Sequence, residues 1–120
     1  MNEHDIQNLI RLEFSRNIPK GSLFRCNVGK GWTGSSIKRN PDGSITISNP
    51  RPFETGLPNG FSDLFGILPG GRAIFIEVKT EKGKPSKEQV NFLGHMSDIG
   101  GLAGIARSFE DVLKIINEVK

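Results

Sequence analysis

Two acidic residues and one lysine have the types and spacing to act together on a phosphate. Glu77 and Lys79 stand near the end of an apolar run, residues 73–78, and Asp63 lies fourteen residues before Glu77. Alternate side chains of a strand point to the same face, so Glu77 and Lys79 share one. Counting outward from a turn at residues 69–71 brings Asp63 opposite Glu77 in a hairpin. The three side chains are therefore expected to meet on one face of a sheet.

Two carboxylates side by side on a sheet repel each other strongly unless a cation lies between them. The chain has one cysteine and two histidines, which provide no zinc site, and oxygen ligands favour Mg²⁺ or Mn²⁺. Lys79 could then position a water molecule or stabilise charge that develops on a phosphate. Each residue alone also has a structural explanation, since Glu-x-Lys forms ordinary surface ion pairs and single charges protect strand edges. Only the combination predicts a cation site that faces a phosphate.

The first elements that position these residues can be predicted from hydrophobic spacing. A helix is predicted over residues 2–16, with Asn2 as its cap. Its inward face consists of apolar side chains at helical spacing: Ile6, Leu9, Ile10 and Phe14. A short strand follows over residues 23–28, and a hairpin over residues 61–68 and 72–79 carries the acidic pair.

The remaining elements follow the hairpin. A helix is predicted over residues 87–99 with Ser86 as its cap, then a strand over residues 102–106 and a final helix that Ser108 caps. The inward side chains of the final helix are Phe109, Val112, Leu113, Ile115 and Ile116. The order helix, strand, hairpin, helix, strand, helix predicts an α/β fold, and 120 residues fit one domain.

Residues 29–56 differ in composition from the rest of the chain, with many Gly, Pro, Ser and Asn residues. Within this segment, two alternating runs flank the turn sequence of residues 40–43, which predicts a β-hairpin over residues 35–48. A loop-rich segment of this length inside a domain is usually functional or mobile.

The charge of the chain is mildly basic, with a net charge of +3 and a pI of about 9.2. The cations are concentrated in two clusters, one between residues 20 and 51, where Asp42 is the single acid, and one between residues 79 and 87. Local basic clusters fit a polyanionic partner, although a solvated basic surface would look the same. The residues predicted to contact nucleic acid are Arg25, Lys30, Trp32, Lys38, Arg39, Lys82 and Lys84.

Three segments, NGFSDLFG, FIEVKTEKGKPSKEQVNF and GIARSFED, resemble the virus-type replication-repair nuclease (VRR-NUC) family. More broadly, Asp63 followed by Glu77-Val78-Lys79 resembles the D…E-x-K signature of the PD-(D/E)XK nuclease superfamily. The resemblance implies a restriction-endonuclease-like αβββαβ core, with an extra β-hairpin insert and a C-terminal helix, in a single domain over residues 1–120. One departure is that Ser62 stands where the superfamily has a proline.

The resemblance also implies the site residues. Asp63, Glu77 and the main-chain carbonyl of Val78 would hold Mg²⁺ or Mn²⁺, with Glu3 contributing directly or through water. Glu13 competes with Glu3 for the role of the helix-borne acid. Gln89 would stand beside the active site and help to orient Lys79 or the water, but it also completes a capping box with Ser86, and the two roles could coexist.

The function implied is a metal-dependent DNA endonuclease that leaves a 5′-phosphate and acts on structured or branched DNA, such as a Holliday junction or a flap. Two alternatives are a non-catalytic nucleic-acid-binding module and a sequence-specific restriction or repair endonuclease. Stand-alone family members of this size resemble phage proteins, and a homodimer that uses the insert is expected. The N-terminal residues lack a signal-peptide pattern and no apolar stretch could span a membrane, so a cytoplasmic location is expected.

Overall fold

The chain divides into two units in its computed structural model, which describes residues 1–117. The core unit consists of Met1–Cys26 and residues 59–117, and the ribbon unit is Asn27–Pro58. The elements in chain order are α1 (Glu3–Asn17), β1 (Ser22–Arg25), β2 (Lys30–Thr33), β3 (Ser36–Arg39), β4 (Ile45–Ser48), β5 (Arg51–Glu54), β6 (Leu64–Ile67), β7 (Ala73–Val78), α2 (Lys87–Asp98), β8 (Leu102–Ala106) and α3 (Phe109–Ile116). The prediction of one domain over residues 1–120 stays a prediction, and residues 118–120 lie outside the described part.

The core unit is built on a four-stranded sheet of order β1-β6-β7-β8. The first three strands are antiparallel, and β8 runs parallel to β7 after the crossover through α2. The core unit therefore has the predicted αβββαβ order, formed by α1, β1, β6, β7, α2 and β8, and α3 follows at its C-terminal end. The α/β fold class is confirmed.

The two faces of the sheet are covered by different helices. Residues of α1 and α3 pack with the even-numbered side chains of β7 in one cluster: Ile6, Ile10, Phe14, Ile74, Ile76, Val78, Val112 and Ile115. On the opposite face, the ring of Phe75 contacts the ring of Phe92 in α2 at a centroid distance of 5.6 Å. Two residues predicted to point inward do not, since Leu9 is 46% exposed and Leu113 is 38% exposed. The buried stripe of each helix is narrower than the sequence indicated.

The ribbon unit contains two antiparallel strand pairs, and both follow the same residue-to-residue pairing. In the first, β2 pairs with β5 and places Lys30 opposite Glu54, and in the second, β3 pairs with β4 and places Ser36 opposite Ser48. Two residues separate the ladders on each strand, so the register continues from one to the other. The break contains Asn49, which has a φ of 50°, and a proline, which cannot donate a hydrogen bond.

The two ladders thus follow one another along a single β-ribbon that is closed by the turn at residues 40–43. Each ladder has four residue pairs, so at about 3.3 Å per residue it extends roughly 13 Å. The hairpin predicted over residues 35–48 is confirmed, whereas the pairing of β2 with β5 was not predicted. None of residues 27–58 is buried, so the ribbon unit has no core of its own.

Across residues 1–117, no helix has the length and apolar character needed to cross a bilayer.

Candidate active site

The β6–β7 hairpin brings Asp63 and Glu77 together. The register pairs Leu64 with Ile76, so the next pair outward is Asp63 and Glu77. The backbone N–H of Val78 donates a hydrogen bond to Oδ2 of Asp63 at 2.9 Å, which fixes that carboxylate beside β7. Two glycines in the turn, with φ near +95°, allow the tight reversal that sets this register. The pairing counted from the sequence is the pairing found.

Glu77 is almost completely buried, with 1% of its surface exposed. Its Oε2 atom accepts a hydrogen bond from Nε2 of Gln89 at 2.8 Å and lies 3.4 Å from Nζ of Lys79. Its Oε1 atom is buried without a hydrogen-bond partner. A buried carboxylate oxygen that lacks a partner is unusual, because leaving such a group unsatisfied costs free energy.

The environment raises the pKa of Glu77 from 4.5 to about 7. Burial is the main cause, and the charge of Asp63 and a hydrogen bond with it add to the shift, while Lys79 opposes it. The pair is therefore short of positive charge, since the single ammonium group does not offset burial and the second carboxylate. A cation between the two carboxylates would supply what is missing.

Gln89 serves two purposes in the structure. The side-chain Oε1 atom of Gln89 accepts a hydrogen bond from the backbone N–H of Ser86 at 2.8 Å. The backbone N–H of Gln89 donates to Oγ of Ser86 at 3.2 Å, which completes the predicted capping box. The same side chain donates through Nε2 to Glu77. The predicted capping box is confirmed, and the contact with Glu77 ties the N-terminus of α2 directly to the acidic pair. The predicted role of Gln89 in the chemistry of the site stays a prediction.

The residues that precede Asp63 are packed tightly. Ser62 is fully buried, and its hydroxyl donates to the carbonyl of Leu64 at 2.9 Å. Gly60 has a φ of +88°, and a Cβ atom there would lie 2.4 Å from the carbonyl oxygen of Glu88 in α2. Only glycine fits this close approach. The hydroxyl of Ser62 therefore helps to hold the backbone of this segment.

Arg107 organises the loop that follows Lys79, although the sequence did not single it out. One guanidinium nitrogen, Nη1, donates to the carbonyls of Thr80 at 2.7 Å and Gly83 at 2.8 Å. This loop carries Lys82 and precedes Lys84, which are both exposed. An arginine after a buried strand is too common to have been recognised from sequence.

The helix-borne acid is less well defined. Glu3 opens α1 and is half-buried, whereas the carboxylate of Glu13 is engaged by Arg16 at 3.2 Å. Within residues 1–117, no three His, Cys, Asp or Glu side chains form a group that could hold a metal ion. Asp63 and Glu77 are therefore a pair here, and the contributions of Glu3 and of the Val78 carbonyl stay predictions.

The residues predicted to contact nucleic acid are all exposed: Arg25, Lys30, Trp32, Lys38, Arg39, Lys82 and Lys84. Within the ribbon unit, Nζ of Lys30 lies 3.4 Å from a carboxylate oxygen of Glu54, and Trp32 is 61% exposed. Their role in binding stays a prediction.

Cys26 is a further neighbour of the acidic pair. Its backbone N–H donates to the carbonyl of Asp63 at 2.8 Å. Partial burial, and then the charge of Asp63, raise the pKa of its thiol above the usual value of 9.0. A thiol with a raised pKa is a poor nucleophile at neutral pH.

Comparisons with known proteins give a match at the level of fold. No family model matches the chain, and no curated protein matches it in sequence. A solved structure described as a VRR_NUC domain is similar to it with a TM-score of 0.61 and 22% sequence identity, over 98% of this chain and 97% of that one. The chain therefore has the fold of a VRR-NUC domain.

Proposed function

We propose that this protein is a metal-dependent nuclease that hydrolyses phosphodiester bonds in DNA, with structured or branched DNA as its substrate. The observation that carries the proposal is the buried carboxylate of Glu77, which faces Asp63 and leaves Oε1 without a partner. As two charged carboxylates, such a pair is unstable unless a shared proton or a cation joins it, and a divalent cation would let both groups ionise. The VRR-NUC fold of the chain supports the same function.

The residues present fit a hard divalent cation. Two carboxylates provide oxygen donors, one donor atom is unsatisfied, and Mg²⁺ or Mn²⁺ prefers such ligands. Asp63 and Glu77 would hold the metal, with the Val78 carbonyl and Glu3 as further proposed ligands. When bound, the metal would lower the pKa of water and offset the negative charge of the scissile phosphate.

The other side chains have roles that follow from their contacts. Lys79 is 12% exposed, and its ammonium group lies 3.4 Å from Oε2 of Glu77, so it can meet the charge that develops on the phosphate. Gln89 donates to the same oxygen and prevents rotation of the carboxylate. Because one face of the Glu77 carboxylate is held by these two groups, its Oε1 atom is presented in a fixed direction.

The basic residues would bind the DNA backbone. Lys82 and Lys84 follow the site in sequence, and Lys38 and Arg39 are exposed near the end of the ribbon. Contacts of this kind give affinity without sequence preference and weaken as salt increases. A homodimer, which would let one assembly cut two strands, is part of the proposal.

The test uses a panel of end-labelled DNAs, namely single strand, duplex, flap and four-way junction, each with Mg²⁺, Mn²⁺ or EDTA. The wild type is compared with Glu77→Gln, which keeps the shape of the side chain and is neutral. Because the fold already favours the neutral form of Glu77, this variant is expected to fold, so any lost activity is chemical. We expect metal-dependent cutting by the wild type and a loss of at least about 100-fold in the variant.

The outcomes separate the alternatives. Cutting that needs metal and disappears in Glu77→Gln supports the nuclease, and the preferred DNA identifies its subclass. Binding without cutting under every metal condition would leave a non-catalytic nucleic-acid-binding module. Cutting of one defined duplex sequence in preference to branched DNA would indicate a sequence-specific endonuclease.

A further inference from the structure

A row of phenylalanines crosses the sheet on the face that carries the acidic pair. The strand registers place Phe24 of β1 opposite Phe65 of β6, and Phe65 opposite Phe75 of β7. Directly opposed residues in a sheet lie on the same face, and so do residues two apart along a strand. Phe65 is two residues from Asp63, and Phe75 is two residues from Glu77. The aromatic row and the carboxylates therefore share one face.

The two ends of this row differ in exposure. Phe75 is 8% exposed, because the rings of Phe61, Phe65 and Phe92 lie 6.1, 5.2 and 5.6 Å from its own. Phe24, at the other end, is 55% exposed. Beside it on the same face, Ile67 is 37% exposed. Helix α2 thus covers the β7 end of the row and leaves an apolar surface at the β1 end.

The exposed ring lies close to the acidic pair. The hydrogen bond from Cys26 N–H to the carbonyl of Asp63 extends the β1–β6 pairing by one residue pair. Phe24 is then the diagonal neighbour of Asp63, a position at which the separation is about 7–8 Å in an antiparallel pair. A nucleotide whose phosphate meets Asp63 and Glu77 would bring a neighbouring base within reach of this ring.

We propose that Phe24 is the stacking platform for an unpaired base next to the scissile phosphate, which makes a single-stranded or splayed nucleotide part of the substrate. The inference rests on the proposed nuclease function. The proposed occupant is a base of the bound DNA because Phe24 and the acidic pair share one face at short separation, so a DNA strand whose phosphate meets that pair would pass over the ring. A base in a closed duplex cannot present its ring face, whereas an unpaired base can.

The test measures binding in EDTA, so that it needs no cleavage. A short single strand and a blunt duplex of the same sequence carry 2-aminopurine, a base whose fluorescence is quenched by stacking. The variants are Phe24→Ala, Phe24→Leu and Phe24→Tyr. The matched control is Leu9→Ala, which removes an apolar side chain of similar exposure, 46%, from α1 on the other side of the sheet.

We expect Phe24→Ala to weaken binding of the single strand by roughly 5- to 160-fold and to remove part of the quenching, since base–aromatic stacking contributes about 1–3 kcal/mol per base. Phe24→Tyr should bind as the wild type does, Phe24→Leu should resemble Phe24→Ala, and Leu9→Ala should have no effect. Binding of the duplex should not change in any variant.

Three results would overturn the proposal: full binding and quenching in Phe24→Ala, equal weakening on single strand and duplex, or full retention of single-strand binding by Phe24→Leu.

A change in molecular mass by sedimentation in Phe24→Ala, with DNA binding unchanged, would mean that the ring belongs to a protein interface. If the wild type never cuts DNA but the stacking result holds, the nuclease proposal fails and Phe24 is a base-stacking residue of a DNA-binding module. If the wild type cuts and Phe24→Ala handles the single strand normally, the platform alone fails.

Discussion

The core unit and the ribbon unit reach defined backbones by different means. In the core unit, Ile10, Ile74 and Ile76 are fully buried, and three helices cover a four-stranded sheet. In the ribbon unit, Ile37 is 60% exposed and Ile45 is 56% exposed, and the strands pair only with each other. Backbone hydrogen bonds and turn residues define the ribbon, while side-chain burial defines the core.

The difference suits the two units to different proposed roles, the core unit to catalysis and the ribbon unit to contact with DNA. The acidic pair needs a fixed geometry, which the packed sheet supplies through hydrogen bonds from Val78 and Gln89. A two-stranded ribbon is marginally stable by itself in water, and its exposed cations can adapt to a partner. We therefore expect substitutions in the core to change stability and those in the ribbon to change binding.

The largest expected effect compares two isoleucines. Ile74→Ala removes a fully buried side chain from the core cluster and should lower the free energy of unfolding by about 2–5 kcal/mol. Ile37→Ala, on the exposed ribbon, should change it by no more than about 0.5 kcal/mol. Urea unfolding followed by circular dichroism measures both. A loss of several kcal/mol in Ile37→Ala would show that the ribbon is packed against something in solution.

The next prediction compares Gln89, which is expected to affect both stability and cleavage, with Lys38, which is expected to affect DNA binding alone. Gln89→Ala removes the reciprocal capping bond and leaves Oε2 of Glu77 with Lys79 alone. We expect a loss of about 1–3 kcal/mol in stability and a lower cleavage rate, because the carboxylate is free to rotate. Lys38→Ala in the ribbon should weaken DNA binding without a change in unfolding.

Ser86→Ala is the matched control for Gln89→Ala, since it removes the N-cap and keeps the amide that contacts Glu77. It should cost about 0.5–2 kcal/mol in stability and leave the cleavage rate nearly unchanged. Equal losses of cleavage in the two variants would mean that Gln89 acts only as a helix cap.

The sequence predicted what depends on local spacing and left out what depends on long-range placement. The β6–β7 register followed from a tight turn, and the two caps on α2 and α3 followed from Ser86 and Ser108. The β2–β5 ladder was missed because KGWT and RPFE have no alternation and one contains a proline. The pairing of β2 with β5 follows from counting residue pairs outward from the turn at residues 40–43.

At the candidate site, the placement of the acidic residues and Lys79 on one face of the sheet could be predicted, whereas most of the groups that pack around them could not. Asp63, Glu77 and Lys79 are set by strand alternation, which the sequence displays. The buried Oε1 atom, the ties from Arg107 and the exposure of Phe24 depend on which neighbours cover each strand. Those neighbours come from distant parts of the chain, and their packing has no local signal.

A smaller effect is expected in the pH dependence of stability, measured in EDTA. The pKa of Glu77 is 4.5 when unfolded and about 7 in the fold, so between these values the folded protein binds more protons than the unfolded chain. The free energy of unfolding should then be highest below pH 4.5 and fall as pH rises to 7, by at most about 3 kcal/mol. Glu77→Gln should remove this slope.

Asp42 in the ribbon serves as a control, because its pKa is lowered by the fold whereas that of Glu77 is raised. Hydrogen bonds from the hydroxyl and the backbone N–H of Ser44 lower the pKa of Asp42 below 3.8. Its contribution to stability should be present above pH 3.8 and be lost as the pH falls through the lowered pKa. Asp42→Asn should therefore leave the window between pH 4.5 and 7 unchanged. A slope in that window that persists in Glu77→Gln would assign it to another group.

The smallest effect decides whether the two units unfold together. Gly43 in the ribbon turn and Gly70 in the β6–β7 turn have φ angles of +88° and +95°, and a Cβ atom at either position would meet nothing within 4 Å. Alanine at each should therefore carry a similar local penalty of about 1 kcal/mol, which arises from the backbone alone. Gly70→Ala should lower the global free energy of unfolding by that amount, because its turn closes the central hairpin. Gly43→Ala should increase hydrogen exchange in residues 36–48 and leave the global transition in place. If both variants shift the global transition equally, the ribbon and the core form one cooperative unit despite their different packing.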